Sequence, residues 1–96
     1  MLERQIEAKV RKFCSANDIL CYKFVSPGHM GVPDRLLIKD GTILFLELKT
    51  ETGRLTELQK KVQNDMRLEG CLVVTTYGYQ SAKDIITELL LTPDEI

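Results

Sequence analysis

The chain has 96 residues, of which 44% are hydrophobic and 28% charged, and its formal net charge is −1. This length predicts a single domain spanning residues 1–96, and no apolar stretch approaches the roughly 20 residues that a membrane-spanning helix needs. The near-neutral charge argues against a protein that simply coats nucleic acid, because phosphate binding usually leaves a basic excess.

The first half of the chain reads as one helix followed by three strands. Apolar residues at helical spacing predict an amphipathic helix over residues 2–17. A β-rich run predicts a strand over 19–25, and the glycines and prolines of 26–33 predict a loop. Two further strands, 34–39 and 42–49, flank the sequence Asp-Gly, which is a strong hairpin signal.

The second half reads as helix, strand, helix. Thr56, with Gln59 three residues later, resembles a capping box that opens a helix, and Gly70 is placed to close it. The apolar stripe of this helix is formed by Leu58, Val62 and Met66. A continuous apolar run beginning at Cys71 predicts a buried strand, and Ser81 is expected to cap a last helix. That helix carries apolar residues on one side: Ile85, Ile86, Leu89 and Leu90. The resulting order, α-β-β-β-α-β-α, implies a mixed sheet flanked by helices.

The hairpin fixes which side chains meet. If Asp40-Gly41 is the whole loop, Lys39 pairs with Thr42, and the same register puts Asp34 directly opposite Glu47. Lys49 is two residues beyond Glu47 and therefore points to the same face. Two like charges held opposite each other are destabilising. The pattern is therefore better explained as a divalent-metal site beside a catalytic amine.

Together with further residues, this pattern matches the motif of a known protein family. The chain resembles the PD-(D/E)xK nuclease superfamily through Pro33-Asp34 and Glu47-x-Lys49, and the element order is similar to that superfamily's αβββαβ core. Within the superfamily it resembles the VRR-NUC family through Gly31-Val-Pro-Asp34, Phe45-Leu-Glu-Leu-Lys49, Gly53-Arg-Leu55, Gln59 and an acid on the first helix. The resemblance implies an α/β fold of the restriction-endonuclease type.

The resemblance also implies a cofactor, Mg²⁺ or Mn²⁺. Asp34 and Glu47 would supply carboxylate ligands, and the backbone carbonyl of Leu48 would be a further ligand. Mg²⁺ prefers such oxygen donors and is commonly held by one or two carboxylates plus a substrate phosphate. Lys49 would orient or deprotonate the attacking water, or neutralise charge on the phosphate.

The acid on the first helix, expected as both a catalytic residue and a metal ligand, is Glu3 or Glu7. At about 100° per residue, Glu3 lies roughly 50° from the centre of the apolar face and Glu7 roughly 90°. Glu3 therefore leans closer to the sheet, and the family pattern, an acid three residues before an apolar position such as Ile6, also favours it. Both remain open at this stage.

Several polar residues are candidates with simpler alternatives. Gln59 could reach Lys49, a metal-bound water or a phosphate, or serve only in its capping box. Arg54, Lys60 and Lys61 could contact a DNA backbone, or form an ordinary charged helix face. His29, the only histidine, could touch substrate, although a loop histidine is usually solvated.

The sequence thus predicts a metal-dependent endonuclease that hydrolyses DNA. The resemblance implies branched substrates such as four-way junctions, in replication or repair. The alternative is a non-catalytic DNA-binding or assembly module that keeps the fold. Cutting two strands with one site per chain favours a homodimer. The apolar last helix, extended by Leu91, is a candidate interface, or it simply covers the sheet. The three cysteines read as small core residues of a reducing compartment, so we expect a cytoplasmic protein of a bacterial cell or phage-infected host.

Overall fold

The computed structural model describes residues 1–91, and within them it contains three helices and four strands. In chain order these are α1 (Glu3–Ala16), β1 (Leu20–Lys23), β2 (Arg35–Lys39), β3 (Thr42–Lys49), α2 (Glu57–Leu68), β4 (Val73–Tyr77) and α3 (Tyr79–Leu90). The predicted order and the predicted α/β class with a mixed sheet are both confirmed. None of the helices in the described part of the chain is long and apolar enough to span a membrane.

The four strands form one sheet in the order β1-β2-β3-β4. The pairs β1–β2 and β2–β3 are antiparallel, whereas β4 lies parallel to β3 and is reached through α2. The β2–β3 hairpin has the predicted register, with Lys39 opposite Thr42. Its turn residues, Asp40 and Gly41, have φ values of 48° and 83°. These left-handed values are those of a type I′ turn, in which a glycine at the second position removes the steric cost.

The helices cover both faces of the sheet. One face packs against α1 and α3 and holds the main hydrophobic core. Its largest buried side chains include Ile6, Val10, Leu37, Leu44, Leu46, Leu48 and Ile86. Because strand side chains alternate, the residues between these leucines in β3 point to the other face, toward α2. Glu47 is one of them, so the site lies on the α2 side of the sheet.

The inner face of α2 differs from the prediction. Val62 is buried and Met66 is half-buried, but Leu58 is 46% exposed. The most buried residue of this helix is instead Gln63, whose Oε1 accepts hydrogen bonds from Thr75 Oγ1 at 2.9 Å and from Arg67 Nη2 at 3.1 Å. Leu58, at the first turn, is therefore only partly covered by the loop at Gly31, and Gln63 can be buried because Thr75 and Arg67 satisfy its amide oxygen.

The predicted start of the last helix was also wrong. Helix α3 begins at Tyr79, and Ser81 lies inside its first turn. The residue before the helix is Gly78, at φ 85°, and its N–H donates to Lys49 O at 2.8 Å. A glycine takes this left-handed conformation without steric cost, so the chain turns directly from β4 into α3 without a side-chain cap.

The cysteines only partly match the prediction. Cys14 is buried, but Cys21 and Cys71 are half-buried, and all three are free thiols. A hydrogen bond from the neighbouring Cys14 thiol, with nearby Arg35, lowers the pKa of Cys21 to about 7, against the opposing effect of burial.

Candidate active site

Asp34 is presented by a tight loop that packs against α2. Gly31 has φ 94°, and a Cβ at that position would lie 3.0 Å from Val62 Cγ2 and 3.1 Å from Leu58 O. Only glycine fits both the backbone conformation and the space. Pro33, two residues later in the same loop, is fully buried. These contacts hold the residue that follows, Asp34, at the entrance of β2.

The Asp34 carboxylate is fixed by the main chain of β3. Its Oδ2 accepts a hydrogen bond from the Leu48 N–H at 3.0 Å. Strand β2 begins one residue later than predicted, at Arg35, which pairs with Leu46. Extending this register by one residue places Asp34 opposite Glu47, as the hairpin predicted. The two carboxylates therefore meet at the end of the β2–β3 ladder.

Glu47 is an acid inside the protein. Its exposed fraction is 1%, and its Oε1 has no hydrogen-bond partner among residues 1–91. Its Oε2 lies 3.7 Å from Lys49 Nζ and accepts a 3.4 Å hydrogen bond from Gln59 Nε2. Burial, followed by the charge of Asp34, raises the pKa of Glu47 to about 8, although Lys49 opposes the shift. Burial and the neighbouring Asp34 therefore shift Glu47 toward its protonated form.

Gln59 forms the predicted capping box, and its side chain also reaches Glu47. The side-chain Oε1 of Gln59 accepts a hydrogen bond from the Thr56 backbone N–H at 2.9 Å. The backbone N–H of Gln59 donates to Thr56 Oγ1 at 3.1 Å, which completes the capping box. Because a backbone N–H can only donate, this contact fixes the amide oxygen toward Thr56. The amide nitrogen is therefore turned toward Glu47.

The two candidate acids of the first helix have different surroundings. Burial and then the charge of Asp34 raise the pKa of Glu3, and the nearby charge of Lys49 opposes this shift. Glu7 Oε1 instead forms a 2.9 Å ion pair with Arg35 Nη2, and Arg35 is almost fully buried. The charges of Asp34 and Lys49 thus act on Glu3, whereas Glu7 is held by a structural partner, so Glu3 stays the preferred candidate for the site acid.

The donors that the structure brings together suit a hard cation. Across residues 1–91, no three or more His, Cys, Asp or Glu side chains form a group that could hold a metal ion. The close donors are the pair Asp34 and Glu47. An unpartnered carboxylate oxygen at 1% exposure, facing a second carboxylate, is costly unless a proton or a metal cation lies between the two groups. One or two carboxylates are the usual protein share of a Mg²⁺ site, so the residues fit the predicted ion.

The predicted DNA-contacting residues fall into two groups. Arg54 and Lys60 line a surface cleft beside α2. Lys61 forms an exposed ion pair with Asp65 at 2.9 Å, and His29 is exposed in the loop before β2. Among the described residues, neither Lys61 nor His29 makes a hydrogen bond or ion pair with the site.

Tyr77 is a residue near the site that the sequence did not predict. It ends β4 and pairs with Lys49 in the parallel register, so the two side chains share a face of the sheet. It also lines the cleft that holds Arg54. The only possible signal was the parallel pairing of β3 with β4, whose register cannot be counted from the sequence across a crossover helix.

Comparisons with known proteins agree with this architecture. No family model matches the sequence. The chain is 41% identical over 59 residues to "Putative nuclease p44" of Acyrthosiphon pisum secondary endosymbiont phage 1, a match covering 60% of this chain and 59% of that relative. The chain therefore matches only about three-fifths of the length of this relative.

Two solved structures are similar over nearly the whole chain. One, described as a VRR_NUC domain, has a TM-score of 0.80 at 24% identity and covers 91% of this chain and 95% of its own. The other, a VRR_NUC domain protein, has a TM-score of 0.82 at 18% identity, with coverage of 98% and 92%. This chain therefore has the fold of the VRR_NUC domain proteins, as the resemblance in its sequence predicted.

Proposed function

We propose that this chain is a divalent-metal-dependent nuclease that hydrolyses DNA phosphodiester bonds. The observation that carries the proposal is Glu47, a buried carboxylate with one unpartnered oxygen, held against Asp34 and beside Lys49. A structural role explains none of these features, since a core position is more stable when filled by an apolar side chain. The similarity to a phage protein named as a nuclease supports the same proposal.

Each residue of the site has a chemical task in this proposal. Asp34 and Glu47 would hold Mg²⁺ or Mn²⁺, with the Leu48 carbonyl and Glu3 as the further expected ligands. The bound ion would polarise a phosphate oxygen and lower the pKa of a bound water. Lys49, whose side chain is 13% exposed, lies beside this position. Its ammonium group would stabilise the charge that develops on the phosphate, or orient the attacking water.

Gln59 and Glu3 act around this centre. The capping box fixes the Gln59 amide, so its N–H₂ group is aligned before substrate arrives. It can hydrogen-bond Glu47 in the free protein and a phosphate oxygen or water in the complex. Glu3, at the start of α1, adds negative charge beside Asp34, which strengthens the attraction for a cation.

The substrate we propose is branched DNA encountered in replication or repair. Arg54 and Lys60 line the cleft beside α2 and are the first candidates for contacting its phosphates, and Lys61 and His29, which are not among the residues lining that cleft, are further candidates. We further propose that the chain is one domain, acts in the cytoplasm and works as a homodimer. The apolar side of α3 is used within the chain, where Ile86 and Leu90 are buried, so a dimer would need another surface.

The test is cleavage of labelled four-way-junction, flap and linear duplex DNA with Mg²⁺ or Mn²⁺. We expect metal-dependent cutting of the branched substrates, and Lys49→Ala should slow it by roughly 10²- to 10⁴-fold. Equal cutting by wild type and variant would contradict the proposed site. Binding of junctions without any cutting would favour the non-catalytic module instead.

A further inference from the structure

A cleft opens directly beside the proposed catalytic lysine. It has a volume of about 530 Å³ and lies between the segment after β3, the start of α2 and the end of β4. Its polar lining consists of Glu51, Arg54, Glu57, Lys60 and Tyr77. We call it the Tyr77 cleft. A volume in this range is typical of sites that hold a molecule of nucleotide size.

Two contacts tie the cleft to the site. Tyr77 pairs with Lys49 across the parallel β3–β4 register. On the other wall, a Cβ at Gly53 would lie 3.2 Å from Lys49 Cβ, so the cleft wall rests against the lysine stem. A group bound in the Tyr77 cleft would therefore be the immediate neighbour of a phosphate held at Lys49.

The chemistry of the lining does not match a purely ionic groove. Two acids and two bases leave it without net charge, and Lys60 is already paired with Glu57 at 3.1 Å. Arg54 has no hydrogen-bond or ion-pair partner within residues 1–91. The distinctive element is Tyr77, an aromatic side chain that is 42% exposed. An exposed ring with one free guanidinium is the combination that holds a base and its phosphate.

We propose that the Tyr77 cleft binds one unpaired nucleotide next to the scissile bond. The base stacks on the Tyr77 ring, and Arg54 contacts the phosphate of that nucleotide. A base inside a duplex has both faces covered by its neighbours, so only a strand with an unpaired nucleotide can use the cleft without a cost of unstacking. The inference rests on the proposed nuclease function and specifies its substrate: a strand that is single-stranded beside the cut, as at a flap or junction.

The test measures binding separately from cutting. Fluorescence anisotropy with labelled single-stranded oligothymidine and blunt duplex, in EDTA, would compare wild type with Tyr77→Ala and Tyr77→Phe. Tyr22→Ala is the matched control, since Tyr22 is 52% exposed on the far edge strand β1. Tyr77→Ala should weaken single-strand binding by roughly 5- to 150-fold, the range for loss of one stacked base. Tyr77→Phe keeps the aromatic ring and should retain single-strand binding. Duplex binding should be unchanged in both variants.

The salt dependence of binding by Arg54→Ala is a second, independent test. Removing one phosphate contact should reduce the slope of log affinity against log salt by roughly 0.7 for single strands. An unchanged affinity in Tyr77→Ala, or an equal loss for duplex and single strand, would overturn the inference. If wild type cuts DNA and Tyr77→Ala binds normally, the cleft proposal fails but the nuclease stands. If Tyr77 governs binding but nothing is cut, the nuclease proposal fails and the cleft stands.

Discussion

At the scale of single residues, the most unusual feature is the placement of Glu47. Its side chain is as buried as the leucines on either side of it in β3. Only one of its oxygens has partners, and these are a long contact to Gln59 and an ion pair with Lys49. A protein that needed only stability would fill this position with an apolar residue. The cost of burying the carboxylate is understandable if the residue acts on a cation and a phosphate.

The raised pKa of Glu47 predicts how stability depends on pH in the metal-free protein. The folded pKa is about 8 against an ordinary value of 4.5. The folded state therefore holds the proton more tightly than the unfolded chain, so the contribution of Glu47 is fully present below pH 4.5 and is lost as pH rises toward 8. Thermal melting in EDTA should show this fall in wild type and a smaller one in Glu47→Gln. Glu69→Gln, at an exposed acid, is the control, and an identical pH profile for all three proteins would contradict the assignment.

At the same scale, alanine substitutions of Glu3 and Glu7 should have different effects on stability and on cleavage. Glu7→Ala leaves the nearly buried Arg35 guanidinium without its partner, and we expect a loss of about 2–3 kcal/mol, because Glu7 itself is partly exposed. Glu3→Ala should leave stability nearly unchanged but reduce metal-dependent cleavage. Urea denaturation and cleavage assays on both variants check this. The reverse pattern would assign the site acid to Glu7.

At the scale of elements, the sequence predicted well wherever a local signal set the geometry. Asp40-Gly41 determined the hairpin register, and with it the meeting of Asp34 and Glu47. The capping box of Thr56 and Gln59 set the start of α2. These features depend on residues a few positions apart, so propensity and turn chemistry are enough to predict them.

Features that depend on tertiary contacts were not predictable in the same way. The parallel register that places Tyr77 beside Lys49 is set across the whole of α2. The burial of Gln63 on α2 depends on a hydrogen bond with Thr75, twelve residues away on strand β4. The start of α3 is determined by a Gly78 contact with Lys49, which overrides the capping preference of Ser81.

The loop before β2 gives a prediction at this scale. Gly31 and Gly28 both have positive φ, but only Gly31 lacks room for a Cβ. Both alanine substitutions should therefore cost about 1 kcal/mol from the backbone, and Gly31→Ala should cost about 1–3 kcal/mol more from crowding against α2. Urea denaturation measures the difference. Equal losses would mean that the loop does not pack tightly against α2.

At the scale of the whole molecule, the near-neutral charge is compatible with the proposed metal-dependent function. The chain has 13 basic and 14 acidic residues. One divalent ion adds two positive charges, so the formal net charge would change from −1 to −1 + 2 = +1. Metal binding and DNA binding should therefore be coupled, because the ion changes the sign of the molecule's net charge.

Metal binding should also stabilise the folded protein. An ion that binds only the folded state, at ten times its dissociation constant, adds about 1.4 kcal/mol, which raises the melting temperature of a domain this size by roughly 6–11 °C. Melting with increasing Mn²⁺ should show this shift in wild type and lose it in Glu47→Gln. An equal shift in both proteins would indicate that the ion binds elsewhere.

The most direct measurement compares two aspartates in one cleavage assay. Asp34→Asn keeps the shape of the site residue but removes its charge, whereas Asp40→Asn does the same at the exposed hairpin turn, where asparagine also tolerates the positive φ. Under single-turnover conditions with Mn²⁺ and a four-way junction, Asp34→Asn should cut at least roughly 10²-fold more slowly, while Asp40→Asn stays at the wild-type rate. Cleavage by Asp34→Asn at the wild-type rate would contradict the account, because the carboxylate pair would then have no part in the reaction.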